Sequence, residues 1–423
     1  MKKLLIKLED FLLTFLGLVY YNFRTKYFLD YSESFYSKYK YHKIRKLLIK
    51  CNDVKYYNDL FNKLNFDPCT DFNSLADLNK IPILNNKIVR ENINSFYNLK
   101  FNNYLSFKTS GTSGKPIETR VSKNHWIIEQ SIIWRQWFSA GYKLFDHISI
   151  IRSYNPSNDQ PLYYHDKLKN WTYYSPFHMT EENLYLYHKT MQKNKTKFLR
   201  GYPSSIVLFA KFCKKNKLKL DNLKACLTAS ETLSPENRKF IETYFKVKVF
   251  DHYGLAEGVI MIHNLDKSGV YKVCKEYGYL ELIPTKIKNE FSIVSTCYNN
   301  YAMPLIRYNT NDIAIAKKDK AGGLELVGIK GRRDKNIKSK SGEIPTINFY
   351  TIFSKILGID RWQIVQYEPG KIIINLKILN GYDYESVCEQ IINQNSTDIK
   401  FTFNQNNFVL TGEGKFNVFI IKC

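Results

Sequence analysis

Short apolar runs alternating with helix signals through the middle of the chain predict an α/β fold built on a mostly parallel sheet. From residue 277 the texture changes to successive short strands, which adds a strand-rich, barrel-like subdomain. A small α+β unit follows, reading helix, strand, strand, helix, strand, strand. The 423-residue length supports this division, because single hydrophobic cores stop growing at roughly 250–300 residues. The expected organisation is a large N-terminal domain, 1–332, and a small mobile C-terminal domain, 333–423. The first hundred residues of the large domain read as helices, punctuated by Ile81-Pro82-Ile83.

The elements follow in order. Residues 147–152 form an apolar strand and 181–194 a helix. Residues 196–202 are extended, and 204–215 form a helix begun by a serine pair. Residues 223–228 read as a buried strand. Ser234 and Pro235 open the next helix as N-cap and first helical residue. Residues 247–251 are again strand. The strand-rich part comprises 277–283, 291–296, 312–316 and 324–329. In the last unit Tyr384, Val387, Cys388 and Ile391 share a helical face.

Hydrophobic residues make up 44% of the chain, enough for an ordered core, and the net charge is +24. Such a surface attracts anions, but the basic residues are spread out and form no binding tail, so no nucleic-acid partner is expected. The eight cysteines show no CxxC spacing, which excludes a zinc ribbon or thioredoxin-like site. They are expected to be reduced and buried in a cytosolic protein. The apolar run 11–21 is too short for a membrane span of about 20 residues. It reads as a helix packed on the domain or, given Lys2, Lys3, Arg24 and Lys26, one in peripheral contact with a membrane, at its inner face.

The chemistry concentrates in Thr109-Ser110-Gly111-Thr112-Ser113-Gly114-Lys115-Pro116. Glycines let backbone N–H groups close on a ligand, hydroxyls donate to phosphate oxygens, and lysine adds positive charge. The octet is not a Walker A loop, since Pro116 stands where a magnesium-binding Ser or Thr follows the lysine.

This octet resembles the phosphate loop of the adenylate-forming superfamily, and further segments follow in the superfamily's order. Asp251-His252-Tyr253-Gly254-Leu255-Ala256-Glu257 resembles the second core motif. Ala229-Ser230-Glu231 is similar to the loop bordering adenine, and Gly201-Tyr202-Pro203-Ser204 to an acyl-pocket segment of phenylacetate–CoA ligases. Arg307-Tyr308-Asn309-Thr310-Asn311-Asp312 resembles the ribose motif, Gly331-Arg332-Arg333-Asp334 the hinge, and Gly412-Glu413-Gly414-Lys415-Phe416 the C-terminal catalytic loop. Within the superfamily the chain looks like phenylacetate–CoA ligases and CapK-type capsule-biosynthesis proteins.

The resemblance implies an ATP-dependent, AMP-forming ligase using Mg²⁺. It assigns catalytic roles to Lys415, Thr112 and Glu257, with Glu257 on magnesium. It assigns nucleotide binding to Thr109, Ser110, Gly111, Thr112, Ser113, Gly114, Lys115, Ser230, Glu231, Tyr253, Gly254, Ala256, Asp312 and Arg332. Asp334 becomes the hinge and Tyr202 part of the acyl pocket. Two departures stand out: Ala256 replaces the usual Thr or Ser, and Asn311 replaces a glycine, a place where Asn tolerates the left-handed backbone. The expected partners are a small carboxylic acid and an acceptor, either an amine or sugar in surface polysaccharide synthesis or CoA. The rival of another class is a non-catalytic nucleotide- or polyanion-binding protein.

Overall fold

The computed structural model describes residues 2–108, 118–154, 156, 160–176, 178–266, 268–318, 323–330, 336–339, 343–345, 349, 352–353, 356–393, 399–409 and 419–423. An eight-stranded sheet forms the centre. Its spatial order is Lys272–Val273, Met261–His263, Lys248–Gly254, Ala225–Ala229, Phe198–Gly201, Ile148–Ile151, Trp171–Tyr174, Tyr163–Asp166. The five strands from Lys248–Gly254 to Trp171–Tyr174 are parallel, and antiparallel strands flank them.

Side-chain alternation along these strands builds two cores. Ile151, Leu199, Cys226 and Val249 face one way, against helices Glu181–Lys193, Pro203–Lys215 and Pro235–Phe245. Ile148, Ile150, Phe198, Leu227 and Phe250 face the other, under Ile128, Ile132, Trp134 and Trp137 of helix Lys123–Ser139. Both faces are covered, which is why the strands read as continuous apolar runs. Ser234 caps its helix by accepting from the Asn237 N–H at 3.2 Å, with Pro235 next. The expected serine start at 204 shifts: Pro203 is the first helical residue and Tyr202 the cap position. Proline suits that place because no intrahelical acceptor awaits its missing N–H.

The strands Gly278–Pro284, Glu290–Cys297, Tyr308–Lys318 and Leu324–Lys330 form a four-stranded antiparallel sheet. The N-terminal helical region packs on it: Ile44, Leu47, Tyr57, Phe61 and Phe72 share a core with Ile293, Leu305, Tyr308 and Ala314. An extended segment joins the two, where the Leu84 N–H donates to the Arg307 carbonyl (2.9 Å) and the Leu84 carbonyl accepts from Asn309 N–H (2.8 Å).

The C-terminal residues have their own core. Sheet order there is Lys400–Gln405, Lys371–Ile378, Ile359–Glu368, Phe419–Ile421, with helix Tyr384–Asn393 supplying Val387, Cys388 and Ile391. All eight cysteines are free, and six are buried. Cys69 is exposed and Cys423 half-buried, so the expectation of uniformly buried thiols is corrected for these two.

Helix Lys2–Phe23 lies against helix Lys123–Ser139. Gly17 allows the close approach, since a Cβ there would sit 2.5 Å from the Gln130 Cβ. The Trp134 indole donates to the Thr14 carbonyl at 2.9 Å.

Candidate active site

The parallel strands end on one side of the central sheet, the side on which open α/β sheets bind ligands. Strand Lys248–Gly254 carries Tyr253 and Gly254 to that end, and a turn through Leu255–Gly258 presents Ala256 and Glu257 before the chain returns as Met261–His263. The segment is therefore strand, turn, strand. Gly278 holds the return in place: a Cβ there would lie 2.2 Å from the Val259 carbonyl oxygen, which instead accepts from Ser295 Oγ at 3.0 Å.

Tyr253 donates its phenol hydrogen to Asp312 Oδ2 at 2.7 Å. Burial, followed by the Asp312 charge, pushes the Tyr253 phenol far up, so it stays a donor. Asp312 is 7% exposed. Its own N–H is fixed by Thr310 Oγ1 at 3.1 Å. Asn311, just before it, has φ +63°, and its N–H is received by the Asn309 side chain at 2.9 Å. The left-handed turn expected at this substitution is thus made. Tyr308 lies on the same strand and donates to Glu257 Oε1 at 3.1 Å, and Asn86 Nδ2 donates to the Tyr308 oxygen at 2.9 Å.

The remaining predicted residues divide. Ser230 follows strand Ala225–Ala229 with φ +72°, a strained position for a non-glycine residue, and Glu231 comes next. At Gly254 an added Cβ would meet only ordinary contacts, Met261 Cγ at 3.9 Å and the Ile260 carbonyl oxygen at 4.0 Å, so sterics alone do not require the glycine. Ala256 is exposed, and its carbonyl accepts from Thr119 Oγ1 at 3.0 Å. Thr119 belongs to strand Glu118–Ser122, paired with Tyr104–Lys108 so that Lys108 stands opposite Glu118. The strand leaving the predicted phosphate loop is thereby tied to the turn carrying Glu257. The loop residues Thr109, Ser110, Gly111, Thr112, Ser113, Gly114 and Lys115, and Arg332, Asp334 and Lys415, lie outside the described residues.

Tyr202 stands at the end of strand Phe198–Gly201, two strands from Tyr253, its hydroxyl 3.0 Å from Ser153 Oγ and its ring beneath the Arg152 guanidinium at 5.8 Å. Asp251 belongs to the framework instead. It is buried between Thr228 (2.5 Å) and Tyr271 (2.6 Å), and burial pushes its carboxyl up to about 6.

Sequence reasoning assigned no role to Tyr308, Asn86 or Thr119, which connect the pieces. It also passed over Glu129, Arg152 and Arg200. The available signal was Arg200 inside the otherwise apolar strand Phe198-Leu199-Arg200-Gly201, where a charged side chain breaks the apolar run.

No family model matches the chain. It is 23% identical over 404 residues to Protein CapK of Staphylococcus aureus, covering 88% of each chain. Solved structures of a 2-hydroxyisobutyryl-CoA ligase superpose along nearly the whole length. The complex of that ligase with 2-HIB-AMP and CoA gives a TM-score of 0.57 at 14% identity, covering 92% of this chain and 91% of the other. Its postadenylation state with R3-HIB-AMP gives 0.56 at 13% identity, covering 91% and 89%. The chain has the adenylate-forming ligase fold. That fold, and the similarity to CapK, agree with the fold class and the CapK-type resemblance read from the sequence.

Proposed function

We propose that this protein is an ATP-dependent, AMP-forming ligase that activates a carboxylic acid as an acyl-adenylate. The observation that carries the reading is the convergence of Tyr253, Asp312 and Glu257 at the carboxyl end of the parallel sheet, linked through the 2.7 Å Tyr253–Asp312 bond and the 3.1 Å Tyr308–Glu257 bond. Tyr253 offers an aromatic face to a purine, and the Asp312 carboxylate accepts from ribose hydroxyls. Magnesium fits Glu257, because this ion takes one or two carboxylates and completes its shell with water and phosphate oxygens. When bound it supplies positive charge at the phosphates. Among the described residues no cluster of three ligating side chains competes for it.

In this reading Ser110, Thr112, Ser113 and Lys115 hold the phosphates, Arg332 contacts the nucleotide, and Lys415 offsets charge as the carboxylate attacks the α-phosphorus and pyrophosphate leaves. The C-terminal residues turn about Asp334 between this step and acyl transfer, which keeps water from the adenylate. The test is ATP–pyrophosphate exchange across a panel of carboxylic acids. Exchange with at least one acid supports the proposal. ATP binding without exchange for any acid favours a non-catalytic nucleotide-binding protein.

For the acceptor, the resemblance of the sequence motifs to capsule-biosynthesis proteins favours an amine or sugar of a surface polysaccharide, giving an amide or ester. The CoA held by the solved ligase supports a thioester as the second reading. Supplying CoA or amino sugars to preformed adenylate and weighing the product separates them.

One observation favours work at a membrane face. Leu8, Leu12, Leu16, Val19 and Phe23 recur at helical spacing and are each 47–83% exposed, on a helix whose Leu13 and Thr14 are buried. Exposed Arg24 and Lys26 follow. An apolar stripe beside cations suits an anionic lipid surface. Among the described residues no helix is long and apolar enough to cross a membrane. Flotation with anionic but not neutral liposomes is expected, and Leu12→Asp/Leu16→Asp abolishes it. Equal behaviour of both liposome types sinks the idea.

A further inference from the structure

Half-exposed charged side chains meet between helix Lys123–Ser139 and the central sheet, in a recess whose two arginines have no ion-pair partner among the described residues. Arg200 shares its sheet face with Phe198 and, through the register Ile150–Arg200–Leu227, with two core residues under that helix. Its guanidinium lies 5.0 Å from the Trp137 ring. Arg152 follows strand Ile148–Ile151 and lies over Tyr202. His252 precedes Tyr253 on the next strand but one from Arg200. Glu129 enters from the helix and accepts from the Tyr277 phenol at 2.6 Å.

Among the described residues neither guanidinium has a carboxylate within 4.0 Å or a hydrogen-bond acceptor. The buried arginines elsewhere show how this chain treats a structural cation. Arg135 meets Glu276 at 2.6 Å, and Arg307 meets Glu281 at 2.8 Å while also donating to the Ile81 carbonyl at 2.7 Å. Arg152 and Arg200 are left half-exposed to the recess instead.

The charges do not cancel. Burial lowers Arg200 to about 9, helped by repulsion from Arg152, so it remains a cation at neutral pH. Burial holds His252 down to about 3, hence neutral. Burial raises the Glu129 carboxyl to about 7 against the pull of both arginines. Two cations thus face one carboxyl that is only partly ionised. A half-exposed guanidinium facing a carboxyl that is only partly ionised keeps donors open to a further anion.

We infer that the acid this protein activates carries a second anionic group, a carboxylate, phosphonate or sulfonate, seated between Arg152 and Arg200. The inference rests on the adenylation reading, and Tyr202 gives the recess a wall two strands from Tyr253. A planar guanidinium fork selects such an oxyanion by paired hydrogen bonds. The adenylation chemistry is unchanged: the acid's other carboxylate attacks the α-phosphorus and pyrophosphate departs.

The test uses the full chain and matched probes: succinate, glutarate and adipate against their half-amides, with 3-phosphonopropionate, in pyrophosphate exchange. At least one dianion is expected to exceed its half-amide about tenfold or more in kcat/KM, and Arg200→Gln to erase that preference while leaving half-amide rates within a few-fold. Arg200→Gln is also expected to raise the Tm of the ligand-free protein, because it removes an unpaired charge. A fall in Tm marks a structural cation and overturns the inference. So does equal use of diacids and half-amides, or an equal loss of both in the variant. Equilibrium binding of the same pairs beside a non-hydrolysable ATP analogue separates this inference from the adenylation reading. Absence of exchange defeats adenylation, whereas equal binding of dianion and half-amide by wild type defeats the anion site whether or not exchange occurs.

Discussion

The proposed nucleotide end and the arginine recess are built from adjacent residues of one strand, Tyr253 and His252, yet they treat charge in opposite ways. At the nucleotide end each carboxylate already has a donor inside the chain: Tyr253 for Asp312 and Tyr308 for Glu257. Those groups are oriented before any ligand arrives, which suits a nucleotide common to every turnover. In the recess Arg152 and Arg200 are held against aromatic rings at 5.8 and 5.0 Å, faced only by the partly ionised Glu129 carboxyl. Such a site is completed from outside, so it selects among ligands.

Changes at the nucleotide end should therefore cost activity for all acids alike, and changes in the recess should redistribute activity among acids. Asp312→Asn is the largest expected effect. It weakens the acceptor for both Tyr253 and ribose, and exchange should fall on the order of 100-fold with each active acid. A loss confined to one acid would break the contrast. Arg152→Gln comes next, with about a tenfold loss for dianionic acids and little change for their half-amides.

Glu129→Gln sharpens the contrast through pH. The folded protein keeps the Glu129 proton up to about pH 7, whereas the unfolded chain releases it near the usual 4.5. The stability this group contributes is complete below about 4.5 and is lost as pH rises through 7. Glutamine cannot ionise, so the variant's Tm should decline less than that of wild type across this window. Equal slopes would show that Glu129 is not held protonated. Ala256→Thr is the smallest expected effect. Ala256 is exposed on the turn beside Glu257, and a hydroxyl there should lower the KM for ATP by up to about tenfold without altering acid preference.

How much was legible in the sequence follows the same division. Tyr253, Glu257 and Asp312 could be singled out because each sits in a contiguous motif, and the structure brings them to one end of the sheet, while their roles toward a nucleotide belong to the proposal. Asn311 was read as a left-handed substitute for glycine, and its φ of +63° bears this out. The alternation of strands and helices was readable because both sheet faces are buried. The recess was not: Arg152, Arg200, His252 and Glu129 come from three strand ends and one helix, and only sheet register brings them together. The turn at Leu255–Gly258 was missed as a strand return because antiparallel pairing with Met261–His263 is non-local. Tyr308 was visible in its motif, but its partner Asn86 lies 222 residues away.

The two hydrogen bonds that join Leu84 to Arg307 and Asn309 have a bearing on how mutations in this protein will read out. They splice the helical first hundred residues onto the strand that, a few positions later, delivers Asp312. Lesions at Phe72 or Tyr57, far from any reacting atom, will pass along that splice and surface as weakened ATP affinity. A screen that scores nucleotide binding alone will therefore mark as functional many positions whose only duty is to keep one strand in register.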